Sequence, residues 1–227
     1  MNDLMKSKTT ILFDLDGTLT DPAVGITRSV NYALESFGIY TEDIRGLCRF
    51  IGPPLKESFM KYYRFDETQA MQAVEKYREY FREKGLYENE LIEGIDTLLQ
   101  KLSEDGRRLI VATSKPKVFA DIILEHFGIM KYFSLVCGSE LDGTRVKKDE
   151  VIRYALDMAG VRETESAVMI GDREHDAAGA LKAGIDCIGV LYGYGSREEL
   201  QAAGAALIVE TVEELQHVLL GQVYGGG

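Results

Sequence analysis

From Leu91 onward, short apolar runs alternate with amphipathic stretches that stop at a glycine, and few folds accommodate that rhythm. Helical spacing over Ile95 to Asp105 ends at Gly106, and RLIVAT (Arg108 to Thr113) reads as a buried strand. Val118 to Phe127 repeats the helical pattern before Gly128, then a strand is expected at Ser134 to Cys137. Asp149 to Ala159 with Gly160 precedes AVMIG (Ala167 to Gly171), and Asp176 to Ala183 with Gly184 precedes CIGVL (Cys187 to Leu191). Ser196 with Glu199 and Thr211 with Glu214 carry the capping-box spacing that opens two more helices. Runs that are apolar throughout, rather than alternating, suit strands covered on both faces, so the pattern predicts an α/β fold with a doubly wound parallel sheet.

The same logic places a first strand near the N-terminus. In TILFDLDGTLTD (Thr10 to Asp21) an apolar run leads into Asp14 and Asp16, followed by Gly17 and Thr18. Residues just past such a strand lie at the carboxyl edge of the sheet, where open α/β proteins keep their ligands. Two aspartates one residue apart can there direct one carboxylate toward a metal and reacting atom and the other toward a leaving group. An ordinary acidic turn is the alternative.

Between this strand and Leu91 the pattern is helical. Val24 to Phe37 has an apolar stripe and a candidate left-handed cap at Gly38, and a weakly patterned stretch then runs through Arg49. FIGPPL (Phe50 to Leu55) reads as a stiff, non-helical loop, because two prolines follow a glycine. Asp66 with Gln69 signals a long helix that stops at Gly85. The expected organisation is a core of residues 1–20 and 91–227, with residues 21–90 inserted after the first strand as a small helical domain.

A chain of 227 residues that is 45% hydrophobic can bury a sizeable core. Its net charge of −11 argues against nonspecific binding to nucleic acid or an anionic membrane. An anionic substrate would therefore need a local positive centre, such as a divalent cation with a few placed Lys or Arg residues. Cys48, Cys137 and Cys187 have no CxxC spacing and read as reduced, structural thiols of a cytosolic protein. No stretch resembles a signal peptide or a membrane span, and Gly225 to Gly227 are assigned no function.

Three strand ends carry residues suited to one chemistry. Thr113, Ser114 and Lys115 can hold phosphate oxygens through a hydroxyl and backbone N–H groups, although Thr113 or Ser114 could instead cap the next helix. Asp172 and Asp176 would repel Asp14 unless a cation were shared among them. Magnesium fits a set of carboxylates, carbonyl and water without a His–Cys cluster. Asp176 also suits a helix start. Lys147 or Lys148 could balance a nucleophilic carboxylate and a phosphoryl group, or simply form a solvated face.

Taken in order, DLDGT (Asp14 to Thr18), Ser114 in ATSKP, Lys147 or Lys148 in VKKDEVI, and GDREHD (Gly171 to Asp176) resemble the four motifs of the haloacid dehalogenase superfamily. The insertion resembles its type I helical cap, and FDLDGTLTD, FIGPPL and ATSKP look most like the phosphoglycolate-phosphatase-like branch. The resemblance implies a Rossmann-like core and assigns Asp14 as the nucleophile that forms an aspartyl phosphate. Asp16 would protonate the leaving alcohol and then deprotonate water, which favours phosphoryl transfer over dehalogenation. Thr18 would support Asp16, Ser114 would bind the phosphoryl group, and Lys148, with Lys147 as the alternative, would neutralise charge. Mg²⁺ would be held by Asp14, the Asp16 carbonyl and Asp172, with Asp176 as ligand or neighbour.

In this reading the cap supplies specificity through Gly52, Pro53 and Arg49 or Lys56, and Thr113 and Lys115 line the substrate site. Arg173 is expected in a salt bridge rather than facing substrate or cap, His175 is expected to be uninvolved, and the glycines of Tyr192 to Gly195, after a strand end near the site, either allow close approach or form a plain turn. The expected activity is hydrolysis of a small phosphorylated metabolite, phosphoglycolate-like or a nucleoside monophosphate, by a monomer or homodimer. The alternatives are a hexose-phosphate mutase of the same fold and a non-catalytic phosphate-binding module.

Overall fold

The computed structural model describes Met5 and residues 7–221, so the terminal glycines lie outside the described residues. Strand β1 (Thr10–Phe13) is buried along its whole length. The chain then enters the insertion, which packs as helices α1 (Ala23–Glu35), α2 (Leu55–Tyr63) and α3 (Glu67–Tyr80). A 3₁₀ turn at Arg45–Phe50 precedes α2, and a π-helical turn at Phe81–Gly85 follows α3. Asp66 and Gln69 form the expected reciprocal capping box, with Gln69 N–H donating to Asp66 Oδ1 at 2.8 Å. Thr20–Asp21 and Glu90–Leu91 pair as a short ribbon.

Two features of this region differ from the sequence reading. The stiff loop is shorter than expected, because Phe50 closes the 3₁₀ turn and Leu55 already begins α2. Pro54 sits at the N-cap of α2, where its missing N–H costs no helical hydrogen bond. The prolines thus start a helix as well as stiffening the segment before it.

Beyond the insertion come α4 (Ile95–Glu104), β2 (Arg108–Pro116), α5 (Lys117–His126), β3 (Phe133–Ser139), α6 (Lys148–Met158) and β4 (Ala167–Gly171). They are followed by α7 (Glu174–Ala183), β5 (Asp186–Val190), α8 (Arg197–Ala202), β6 (Leu207–Val209) and α9 (Val212–Leu220). In α4, Ile95, Leu98, Leu99 and Leu102 are buried at helical spacing, which is what commits this segment to the core. Gly184 ends α7 in the left-handed region (φ 76°), with Ile185 N–H returning to Ala180 O at 3.1 Å. The short strand β6, only three residues long, adds an edge to the sheet.

The sheet order is β3-β2-β1-β4-β5-β6, and every neighbouring pair is parallel. From β1 the chain winds outward through β2 and β3, then crosses back to lay β4 on the other side of β1. That reversal opens a crevice past the carboxyl ends of β1 and β4, the place where doubly wound folds bind ligands. The described residues up to Leu19 and from Leu91 onward make one compact unit, and Thr20–Glu90 make another.

Candidate active site

Asp14 leaves β1 with its N–H donating to Ile170 O at 2.9 Å, so its position is fixed by β4. Asp172 directly follows β4. Asp14, Asp172 and Asp176 are buried, and one carboxylate oxygen from each lies within 4.8 Å of the other two. Lys148, the first residue of α6, reaches into this group with Nζ at 2.7 Å from Asp14 Oδ1 and 2.8 Å from Asp176 Oδ1. Its Nζ also donates to Ala112 O at 3.2 Å. Lys147 is exposed at the N-cap of α6, so the two candidate lysines have clearly different surroundings.

The backbone around the cluster leaves no spare room. Gly17 has φ 80°, and a Cβ there would lie 2.3 Å from Asp172 Oδ2. The Tyr192–Gly195 turn wraps the same carboxylate: Tyr194 N–H donates to Asp172 Oδ2 at 2.8 Å, and a Cβ on Gly195 would lie 1.9 Å from Asp172 O. Thr18 Oγ1 donates to Asp172 Oδ1 at 3.4 Å, and Tyr192 Oη donates to Thr18 O at 3.3 Å. Thr18 therefore meets Asp172 through its hydroxyl. The YGYG turn is more than a connection: of the two readings its glycines offered, close approach is the one the structure shows.

Electrostatics follow from burial. Burial first, then Asp176 and Asp14, hold the Asp172 carboxyl well above its ordinary range. Burial raises Asp176 to about 6 against the opposing pull of Lys148. Burial alone would depress the Lys148 ammonium, but Asp14 and Asp176 outweigh it and raise its pKa. Three carboxylates thus face a single ammonium, an excess of negative charge that a divalent cation would balance. Asp14 Oδ1 and Asp176 Oδ1 meet Lys148 by charge contact, without a hydrogen-bond partner of good geometry among the described residues. All-oxygen donors of this kind suit a hard cation, so the cluster fits a divalent metal. Asp176 also serves its helix, since Oδ2 accepts from Arg173 N–H at 3.0 Å.

Asp16 turns away from this group. Its Oδ1 lies 3.0 Å from Lys115 Nζ, both side chains being largely buried. Burial raises the Asp16 carboxyl, with Lys115 opposing and Asp14 adding to the rise. The Asp16 side chain is therefore outside the three-carboxylate cluster. Thr113 is buried and its Oγ1 accepts from Lys115 N–H at 3.2 Å. Ser114 is half-buried, and its carbonyl accepts from Ser139 Oγ at 2.8 Å. The N-cap of α5 is Pro116 with no side-chain cap bond, so neither hydroxyl caps that helix.

The remaining candidates lie in the helical unit. Arg49 is exposed, its guanidinium carbon 4.3 Å from the centroid of the Tyr62 ring, and Lys56 pairs with Glu67. Gly52 adopts φ 98° in the bend before α2, and Pro53 is half-buried beside it. Arg173 forms a salt bridge to Glu199 at 2.8 Å, which diverts Glu199 from the second half of a capping box. Burial depresses His175. Cys48, Cys137 and Cys187 are free, and burial raises all three thiols, which disfavours the reactive thiolate.

A haloacid dehalogenase-like hydrolase family model matches residues 11–190. The chain belongs to that family. A 5′-nucleotidase of Pseudomonas aeruginosa is 54% identical over 202 residues, covering 89% of this chain and 91% of its own. The crystal structure of a "predicted phosphatase" from Clostridium acetobutylicum superposes with a TM-score of 0.92 at 52% identity, over 95% of this chain and 99% of that one. A Mycobacterium tuberculosis protein named tyrosine-protein kinase PtkA is 38% identical over 212 residues, 92% of this chain and 72% of its own. Within the family the chain is a phosphoric monoester hydrolase. Among its described residues, no helix is long and apolar enough to cross a membrane.

Proposed function

We propose that the protein is a Mg²⁺-dependent phosphatase of small phosphomonoesters, with nucleoside monophosphates as its leading substrates, and that it works through a phosphoryl group carried on Asp14. The observation that carries this reading is the Lys148 ammonium set 2.7 Å from Asp14 at the edge of a three-carboxylate cluster. A lone nucleophilic carboxylate would repel a phosphate dianion, and a fixed ammonium removes that barrier without reorganisation during the reaction. The choice of nucleotide substrates rests on the 54% identity to a protein named 5′-nucleotidase.

In the first half-reaction an Asp14 carboxylate oxygen attacks phosphorus as the bond to the ester oxygen breaks. The departing oxygen takes the Asp16 proton. In the second, Asp16 takes a proton from water, the water oxygen attacks phosphorus, and the bond to Asp14 breaks to release inorganic phosphate. This splits one difficult transfer into two easier steps. Ser114 binds the phosphoryl oxygens, and Lys148 neutralises charge on them and on Asp14. Asp14, Asp172, the Asp16 carbonyl and Asp176 would hold the metal, which supplies charge stabilisation for the transferring phosphoryl group. Raised by burial, Asp16 retains a proton further up the pH scale than an exposed aspartate would, as its first task requires.

In this reading selection among leaving groups falls to the helical unit, with Arg49, Gly52 and Pro53 as the candidate residues. The test is phosphate release from nucleoside monophosphates, phosphoglycolate and p-nitrophenyl phosphate, with Mg²⁺ or with a chelator. Mg²⁺-dependent release, greatest for a nucleoside monophosphate, is expected. Absence of release from every ester, or release indifferent to chelation, would overturn the proposal.

A further inference from the structure

Lys115 is the buried cation at the site that the mechanism above does not use. We propose that Lys115 is a positioning residue, which fixes the Asp16 carboxylate for proton transfer and acts on the reaction through Asp16 rather than by touching substrate. This inference rests on the phosphatase reading and deepens it. The geometry is specific: Lys115 Nζ is 3.0 Å from Asp16 Oδ1, and its side chain is only 5% exposed. A lysine that steers substrate from the surface would be solvated, whereas this one is largely buried with its ammonium against Asp16 Oδ1.

Its own backbone is held as firmly. Between Ala112 and Pro116 the pairing of β2 with β3 shifts register, so the segment bulges. Such bulges re-aim side chains at the end of a strand. The bulge is pinned from β3, where Ser139 Oγ donates to Ser114 O at 2.8 Å. A Cβ on Gly138 would lie 2.6 Å from Lys115 O and 2.8 Å from Lys117 Cα, so β3 approaches as closely as glycine allows. Thr113 Oγ1 accepts the Lys115 N–H at 3.2 Å from within the same turn. The ammonium is thus a fixed point on the sheet, reaching the carboxylate that precedes Gly17. Proton transfer needs the acid within hydrogen-bond reach of the departing oxygen, so a fixed partner for Asp16 bears directly on rate.

The experiment is a double-mutant cycle in the full-length, Mg²⁺-loaded protein, read as kcat and KM on a simple alkyl phosphate and on p-nitrophenyl phosphate. Displacing a catalytic group by about 1 Å costs on the order of 100-fold, so K115M should lower kcat on the alkyl ester by about that factor with little change in KM. In kcat/KM, which reports the first half-reaction alone, the loss on p-nitrophenyl phosphate should be at least about tenfold smaller, because nitrophenolate needs less help from an acid. In a D16N background K115M should change the alkyl-ester rate by no more than about twofold, since the group it positions can no longer transfer a proton.

Equal losses of kcat/KM on both esters, a rise in KM with kcat retained, or a K115M effect undiminished in D16N would overturn the proposal. K115Q, which keeps a polar end in the same space, carries the cycle if K115M does not fold. Failure of the wild-type protein to hydrolyse either ester would remove the phosphatase reading and this inference together. Wild-type turnover with an additive cycle would remove only this one.

Discussion

The strand-end cluster and the interior of the helical unit are both tightly enclosed, yet they enclose opposite things. Around β1 and β4 the sheet buries Asp14, Asp172, Asp176 and Lys148, charges that only a fixed backbone can hold together. Inside the helical unit Phe50 packs on Phe59 with centroids 5.0 Å apart, Phe59 stacks on Phe65 at 6.0 Å, and Tyr77 stacks on Phe81 at 5.2 Å. Its charged groups, Arg28, Lys56 and Lys76 among them, pair near the surface with Glu88, Glu67 and Glu79. The core thus accepts electrostatic strain to make a site, while the helical unit is stabilised by apolar packing with its ion pairs at the surface.

The sharpest way to break this contrast is to remove one charge from the cluster. Asp14→Asn should lower turnover by roughly 10⁴-fold or more while the protein still melts cooperatively, measured by phosphate release and calorimetry. In the helical unit the corresponding loss is mechanical. Phe59→Ala should cost about 3–5 kcal/mol in denaturant unfolding, as expected for emptying a fully buried aromatic site. A cost under about 1 kcal/mol would show that the aromatic cluster is loosely packed.

Two further measurements sharpen the account of the cluster. Gly195→Ala must push the Tyr192–Gly195 turn off Asp172, and it should weaken Mg²⁺ binding by about 10- to 100-fold in titration calorimetry. The metal-free protein should also lose stability as pH rises. Asp16, Asp172 and Asp176 all have raised pKa values in the folded chain, so that state binds more protons than the unfolded one. For Asp176 this stabilisation is complete below the ordinary value of 3.8 and is lost as pH climbs through about 6. Melting temperatures of chelated protein should therefore fall across that interval, and added Mg²⁺ should restore most at its upper end. A melting temperature independent of pH would contradict the crowding of carboxylates. The smallest effect belongs to the helical unit: Asp66→Ala removes the capping box and should cost about 1 kcal/mol in the same unfolding measurement.

The placement of the carboxylates was legible in the sequence because strand ends announce themselves. TILF before Asp14 and AVMIG before Asp172 are apolar runs that stop at the residues of interest, and neighbouring strands must bring those ends together. Between Lys147 and Lys148, only the rotation of α6 decides which ammonium is buried, and spacing along the chain does not contain that angle. Helix α2 was hidden because Pro53 and Pro54 dominate the local signal, while the packing of Phe59 on Phe50 that stabilises the helix is tertiary. Close approach of the YGYG turn was one of the two readings its glycines allowed, but the Tyr194 N–H on Asp172 is a backbone contact that no motif displays. Pairing of Lys115 with Asp16 joins two strand ends 99 residues apart and needed the sheet order to be seen.

The central claim is that Asp14 itself becomes phosphorylated. Rapid acid quenching of the Mg²⁺-loaded protein during turnover of a labelled phosphomonoester, followed by peptide mapping, tests it most directly. Label on the peptide carrying Asp14, formed and lost at rates compatible with turnover and absent from Asp14→Asn, is the predicted result. Full turnover with no label on that peptide, or turnover retained by Asp14→Asn, would contradict it.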